Sequence, residues 1–277
     1  MTASRLGGIE QLESAFQKAH ADGRGALIPY VCGGDPNLAT CAAIVDALGA
    51  AGADAIEIGI PYGDPLADGP TIAAAAQRAL ECGTSVDDVI GLAAGARERG
   101  APPLLLFTYL NPVVQYGVER FAAALAAAGA AGAIVPDLPY EESEALRRAF
   151  HRWGLALPLL VAPTTPFERA VAIAEGSDGF VYLVSRLGVT SAAHGPDIAW
   201  IGERIAQLRP RTARRIAVGF GISRPDEVRA VCRYADGAIV GSALVDSYAG
   251  TLGAQAVDRA RAFLCSLRAA TVREPES

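Results

Sequence analysis

Short apolar runs alternate with helical apolar spacing along nearly the whole 277-residue chain, the form expected of repeated βα units around a parallel sheet. Eight runs read as strands: 26–31, 55–60, 104–109, 133–135, 157–161, 180–183, 216–219 and 237–240. Each is close to continuously apolar, as a strand covered on both faces should be. Around them, 38–51, 86–99, 118–128, 141–153, 167–175, 198–208, 225–234 and 252–269 read as helices, with 9–21 as an extra N-terminal helix in front. The spacing is explicit at Val86, Val89, Ile90 and Ala93, where Ser85 is placed to cap and Asp88 follows three residues later. Eight units in about 250 residues fit a single (β/α)8 TIM barrel over 1–269 better than an open doubly wound sheet, which more often stops at five or six strands. Residues 270–277 are expected to be a disordered tail. No GxGxxG or GxxxxGKS/T pattern follows any of these strands, which lowers a nucleotide-binding reading.

Composition narrows the classes further. A hydrophobic content of 51% is ample for one buried core, and a net charge of -6 with a pI near 5.2 argues against nucleic acid or an anionic membrane as the main partner. Residues 1–16 lack the charged-then-apolar pattern of a secretory signal. The charge-free stretch 100–118 is broken by Pro102, Pro103, Asn111, Pro112 and Gln115, so it is not a membrane span. A cytoplasmic location is expected. Cys32, Cys41, Cys82, Cys232 and Cys265 show no CxxC spacing, and His20, His151 and His194 are equally scattered, so no disulfide framework and no bound metal are expected.

Functional groups of such barrels come from the C-terminal ends of the strands. Glu57 stands inside an apolar strand, where an unpaired charge is costly. Beyond it, Pro61, Pro65 and Pro70 restrict the backbone while Gly59, Gly63 and Gly69 free it, so Asp64 and Asp68 sit on a shaped loop. Carboxylates gathered at one strand end suit acid/base work. The other ends offer CGGDP at 32–36, Tyr109 and Asn111, Asp137, Tyr182, and the stretch 185–191, which has the length and glycine of a lid. Glycine-rich loops at 219–223 and 241–242 lie after the seventh and eighth strands, where many barrels bind phosphate through backbone amides. Gly221, Gly241 and Ser242 are the candidate contacts. The plainer alternative is that these glycines only make tight turns, that Glu57 is structural and that Asp68 caps a helix.

With those motifs in view, the chain resembles the tryptophan synthase alpha subunit family. ALIPYVCGGDP, EIGIPYGDPLADGPTI, IVPDLPYEE, LVAPTTP, YLVSRLGVT, VGFGIS and GSALV occur in the family's order across nearly the whole chain. The resemblance implies retro-aldol cleavage of indole-3-glycerol phosphate to indole and glyceraldehyde 3-phosphate. It implies Glu57 as the acid and base, and Asp68 as the carboxylate that accepts the indole N–H and stabilises the ring cation. Tyr30, Phe107, Ile134, Tyr182, Thr190 and Phe220 fall where the family lines its indole pocket, and Gly221, Gly241 and Ser242 where it holds phosphate. The chain itself is expected to need no cofactor. Pyridoxal phosphate is expected in a beta subunit, joined in a heterotetramer of two alpha and two beta chains, and Pro61 and Asp64 match positions that communicate with it. Two departures stand out, Ser191 where glycine usually follows GVT, and Gly63 where serine is common. They keep a stand-alone indole-3-glycerol phosphate lyase as the alternative. A Schiff-base aldolase is disfavoured because the only lysine, Lys18, precedes the first strand, and a non-catalytic scaffold because both carboxylates are present.

Overall fold

The computed structural model describes residues 6–185 and 195–273. Eight parallel strands form the centre: β1 (Ala26–Cys32), β2 (Ile56–Gly59), β3 (Leu104–Phe107), β4 (Gly132–Ile134), β5 (Leu159–Val161), β6 (Phe180–Val184), β7 (Arg215–Gly219) and β8 (Gly237–Val240). They are hydrogen-bonded in the order β4-β3-β2-β1-β8-β7-β6-β5. What joins the two ends of that series is one parallel bridge, Gly132 with Ala156, just ahead of β5. A Cβ at Gly132 would lie 1.9 Å from the Ala156 carbonyl oxygen, so only glycine lets the two backbones meet. The barrel fold read from the alternation is therefore the fold found.

Helix α1 (Gly8–Ala21) precedes the barrel. It buries Leu12, Phe16 and Ala19, and the Phe16 ring stands 5.5 Å from that of Phe180 at the start of β6. The crossovers carry α2 (Leu38–Ala50), α3 (Pro70–Glu81), α4 (Val86–Glu98), α5 (Leu110–Tyr116), α6 (Val118–Ala127), α7 (Glu144–His151), α8 (Phe167–Gly176), α9 (Ile198–Leu208), α10 (Pro225–Cys232), α11 (Ser242–Tyr248) and α12 (Gly253–Arg268). The cap expected at Ser85 forms: its hydroxyl accepts the Asp88 amide, and the Asp88 carboxylate accepts the Ser85 amide at 2.9 Å.

Four expectations need correction. Helices α3, α5 and α11 were not foreseen. α3 starts with Pro70 at its first position, and Pro112 falls in the first turn of α5, where a missing amide costs no helical bond. The helix expected over 141–153 is split into a 3-10 turn, Tyr140–Glu142, and α7. The fifth strand begins only after Pro158, which has no amide to donate to a ladder. Residues 270–273, within the expected tail, are held against the barrel. Ala270 and Thr271 are buried, Val272 pairs with Arg24, and the Arg273 guanidinium donates to the carbonyls of Cys232 and Ala235.

Candidate active site

The second strand alternates, so Ile56 and Ile58 share one face and Glu57 the other. Register places Glu57 between Tyr30 of β1 and Leu105 of β3. Its residue is 1% exposed, and Oε1 has no hydrogen-bond partner. Burial alone pushes the carboxyl up to about 8, so at neutral pH it carries a proton.

Asp68 comes from the loop between β2 and α3. The Ile60 amide donates to the Phe107 carbonyl at 2.8 Å, the Ala67 amide to the Tyr109 hydroxyl at 3.0 Å, and the Asp68 amide to the Pro65 carbonyl at 3.1 Å. Gly69 and Pro70 then open α3, whose Arg78 grips the buried Asp35 of the loop after β1 through two bonds of 2.7 and 2.9 Å. The second carboxylate is thus held from both ends of its loop. Burial raises its carboxyl to about 6, opposed by a hydrogen bond from the Tyr109 hydroxyl. At pH 7 it is still roughly nine-tenths ionised.

Both carboxylates line one cavity at the C-terminal mouth of the barrel, about 460 Å³ including its open entrance. Tyr30, Phe107, Tyr182 and Phe220 form its aromatic walls, and Gly221, Gly241 and Ser242 lie at its edge. The Tyr30 ring meets Phe107 edge-on at 5.7 Å and Tyr182 meets Phe220 at 5.8 Å. Each tyrosine hydroxyl is tucked against a glycine of the neighbouring strand. A Cβ at Gly59 would come within 2.1 Å of the Tyr30 oxygen, and one at Gly219 within 2.2 Å of the Tyr182 oxygen.

At the other end, Phe220 and Gly221 adopt successive left-handed conformations, φ 73° and 74°, the first of which is costly for a residue with a side chain. The Ser185 hydroxyl donates to the Phe220 carbonyl. Amides of Ser223 and Arg224 are taken by the Glu227 carboxylate at 2.8 and 3.0 Å, so they do not serve a ligand. Gly241 caps α11 and Ser242 is its first residue, where helix amides have no carbonyl partner inside the helix.

Ile134 is fully buried at the end of β4 and is not among the residues lining the cavity. Thr190 and Ser191, with the expected lid beyond Ser185, lie outside the described residues. The cavity adds Ile72, Ile222 and Ile239, which sequence reasoning missed. For Ile239 the signal was available, since it sits two residues from Gly241 on an alternating strand. Among the described residues no three His, Cys, Asp or Glu side chains gather as metal ligands, and no helix is long and apolar enough to cross a membrane.

The sequence profile described as tryptophan synthase alpha chain matches residues 16–271. The chain belongs to the tryptophan synthase alpha chain family. It is 48% identical over 258 residues to the tryptophan synthase alpha chain of Prochlorococcus marinus (strain MIT 9313), covering 93% of this chain and 94% of that one. Against the same-named protein of Arabidopsis thaliana it is 44% identical, with 84% and 85% covered. A chain of Mycobacterium tuberculosis tryptophan synthase superposes with a TM-score of 0.88 at 36% identity, covering 95% of this chain and 98% of that one. The alpha subunit from Legionella pneumophila gives 0.84 at 32%, with 94% and 98% covered. Members of this alpha chain family are lyases that cleave indole-3-glycerol phosphate.

Proposed function

We propose that this alpha chain cleaves indole-3-glycerol phosphate with Glu57 as the proton donor and acceptor and Asp68 as the ring-cation stabiliser. The observation that carries the assignment is Glu57 itself, a buried carboxyl with a free oxygen on the wall of a cavity that also holds Asp68. A carboxyl near 8 holds a proton to give to C3 of the indole ring. That protonation moves positive charge onto the ring nitrogen, and the ionised Asp68 accepts its N–H bond and stabilises the cation. Glu57, now a carboxylate, takes the proton from the hydroxyl on the carbon attached to the ring. The O–H electrons form the aldehyde C=O, the C–C bond breaks, and its electron pair restores the aromatic ring. One proton leaves Glu57 and one returns.

Tyr30, Phe107, Tyr182 and Phe220 supply an aromatic slot for indole, and amides at Gly221, Gly241 and Ser242 take the phosphate. The chain needs no cofactor of its own for these steps. The exposed loop around Asp64 and Leu66 adjoins the site and suits a pyridoxal-phosphate-bearing beta partner in a heterotetramer. The setting is cytoplasmic tryptophan biosynthesis. The test is indole release from indole-3-glycerol phosphate by the purified chain, with and without its cognate beta subunit. Release that the beta subunit strongly accelerates is the expected result, and no release under either condition overturns the reading. Fast release by the chain alone, with no acceleration, would instead mark a stand-alone lyase.

A further inference from the structure

We infer that Ser185 is the positioning residue of Phe220, holding it in the left-handed backbone conformation that sets its ring on the cavity wall and so fixing the width of the aromatic slot. This rests on the slot assigned to indole above.

Among the described residues, Phe220 is the only one with a side chain whose φ is positive, at 73°. A conformation of that cost persists only where the surroundings over-determine it. They do so here from two sides. On the strand side, the Ser185 amide donates to the Gly219 carbonyl at 3.0 Å, one step beyond the Val184–Gly219 pair that ends the β6–β7 ladder. The Ser185 hydroxyl then donates to the carbonyl of Phe220 itself. On the loop side, the Glu227 carboxylate takes the Ser223 and Arg224 amides and pins the far end of the turn. Ser185 is 1% exposed and is not among the residues lining the cavity, so neither water nor a ligand competes for its bond.

The choice of partner is specific. Ser247 and Ser266 donate to carbonyls three residues back in their own helices, whereas Ser185 reaches across 35 positions to the one strained residue of the wall. Strand β6 thus acts on Phe220 twice. Tyr182 meets its ring edge-on at 5.8 Å, and Ser185, just past the strand end, holds its carbonyl. Rotation about φ turns Cβ relative to Gly219, so with both ends of the turn held a return to negative φ would move the ring out of the wall. Glu57 and Asp68 come from β2 and the loop after it, so a change at Ser185 leaves the proton-transfer groups in place.

Ser185→Ala removes the hydroxyl. KM for indole-3-glycerol phosphate should rise about three- to tenfold, the loss of one shielded hydrogen bond, with kcat within about twofold of the parent. Indole-3-glycerol, which lacks the phosphate, should suffer by a similar factor, because it is the ring wall that has moved. Ser185→Cys, close in size but a weak donor, should behave like the alanine variant and replaces it if alanine does not fold. The deciding measurement is a cycle with Phe220→Gly, since glycine needs no support at positive φ and carries no ring. In that background Ser185→Ala should change KM no further. An equal rise in both backgrounds, a loss confined to kcat or to the phosphorylated substrate, or a lower unfolding free energy with parental KM would each overturn the inference. If Phe220→Gly alone leaves KM unchanged, the aromatic slot is misassigned and the underlying reading fails first.

Discussion

The two ends of the barrel treat buried carboxylates in opposite ways. At the N-terminal ends, Asp54, Asp178 and Asp236 precede β2, β6 and β8, and every one is paired. Asp54 is gripped by Arg24 at 2.6 and 2.8 Å and by the Leu27 amide at 2.8 Å. Asp178 meets His151 at 2.9 Å, and Asp236 gathers Arg209, Arg215 and the Ile216 amide. At the C-terminal end Glu57 is buried at least as deeply with no partner for Oε1, and Asp68 has one phenol. Burial is common to both ends and does not distinguish a structural acid from a reactive one. The difference lies in whether the charge is neutralised in place or left for something that arrives.

The sharpest way to break this contrast is Glu57→Gln. We expect turnover to fall by about two to four orders of magnitude, with the affinity for a non-cleavable indole-alkyl phosphate little changed. The same variant should be more stable than its parent. Glu57 titrates near 8 in the fold against 4.5 unfolded, so between those values the folded chain holds a proton that the unfolded chain has lost. Stability therefore falls as pH rises through that window, and replacing the acid removes a cost on the order of 3 kcal/mol at pH 7. Urea unfolding at pH 7 and pH 4.5 checks this, since the advantage should vanish at the lower pH. A destabilised but active Gln variant would place Glu57 with the structural acids.

Asp68→Asn should cost about two to three orders of magnitude in kcat, because a neutral amide no longer stabilises the ring cation. A loss confined to KM would contradict it. Asp54→Ala is the reverse experiment. Breaking that buried pair should cost about 3–5 kcal/mol of unfolding free energy while kcat of the folded protein stays near parental. If kcat drops with stability unchanged, the division between the two ends is wrong. The smallest effect belongs to Gly221→Val, which no longer suits φ 74°. It should raise KM for the phosphorylated substrate by about tenfold, the loss of roughly one hydrogen bond to a charged group, and barely affect indole-3-glycerol. Equal damage to both would make the loop structural.

Much of this division was legible in the sequence. Glu57 stood out because a charge interrupts IEIG, and the eight apolar runs placed it inside the second strand of the barrel. Asp68 could be found but not its burial, because the turn that folds it inward depends on Tyr109, more than forty residues away in sequence. Helix α3 was hidden by its own motif: the loop signature runs into PTIAAAAQRALE, and the alanines with Pro70 at the first position were a helix signal passed over. Ile134 was assigned to the pocket by resemblance alone; in the structure it is buried at the end of β4 and does not line the cavity. The carboxylate clamps of the opposite end pair residues such as Arg24 and Asp54 across 30 positions, and nothing local announces them.

The single bridge between Gly132 and Ala156 also shapes how the barrel moves. Everywhere else the strands are joined by ladders of two to five residue pairs, whereas here the Ala133 and Ala156 amides alone carry the join, at 3.1 and 2.8 Å. Local opening is cheapest where fewest bonds must break together. In deuterated water those two amides should exchange before the ladder amides of β1 and β8, making the β4–β5 side the hinge along which the wall parts while the Glu57 side stays shut.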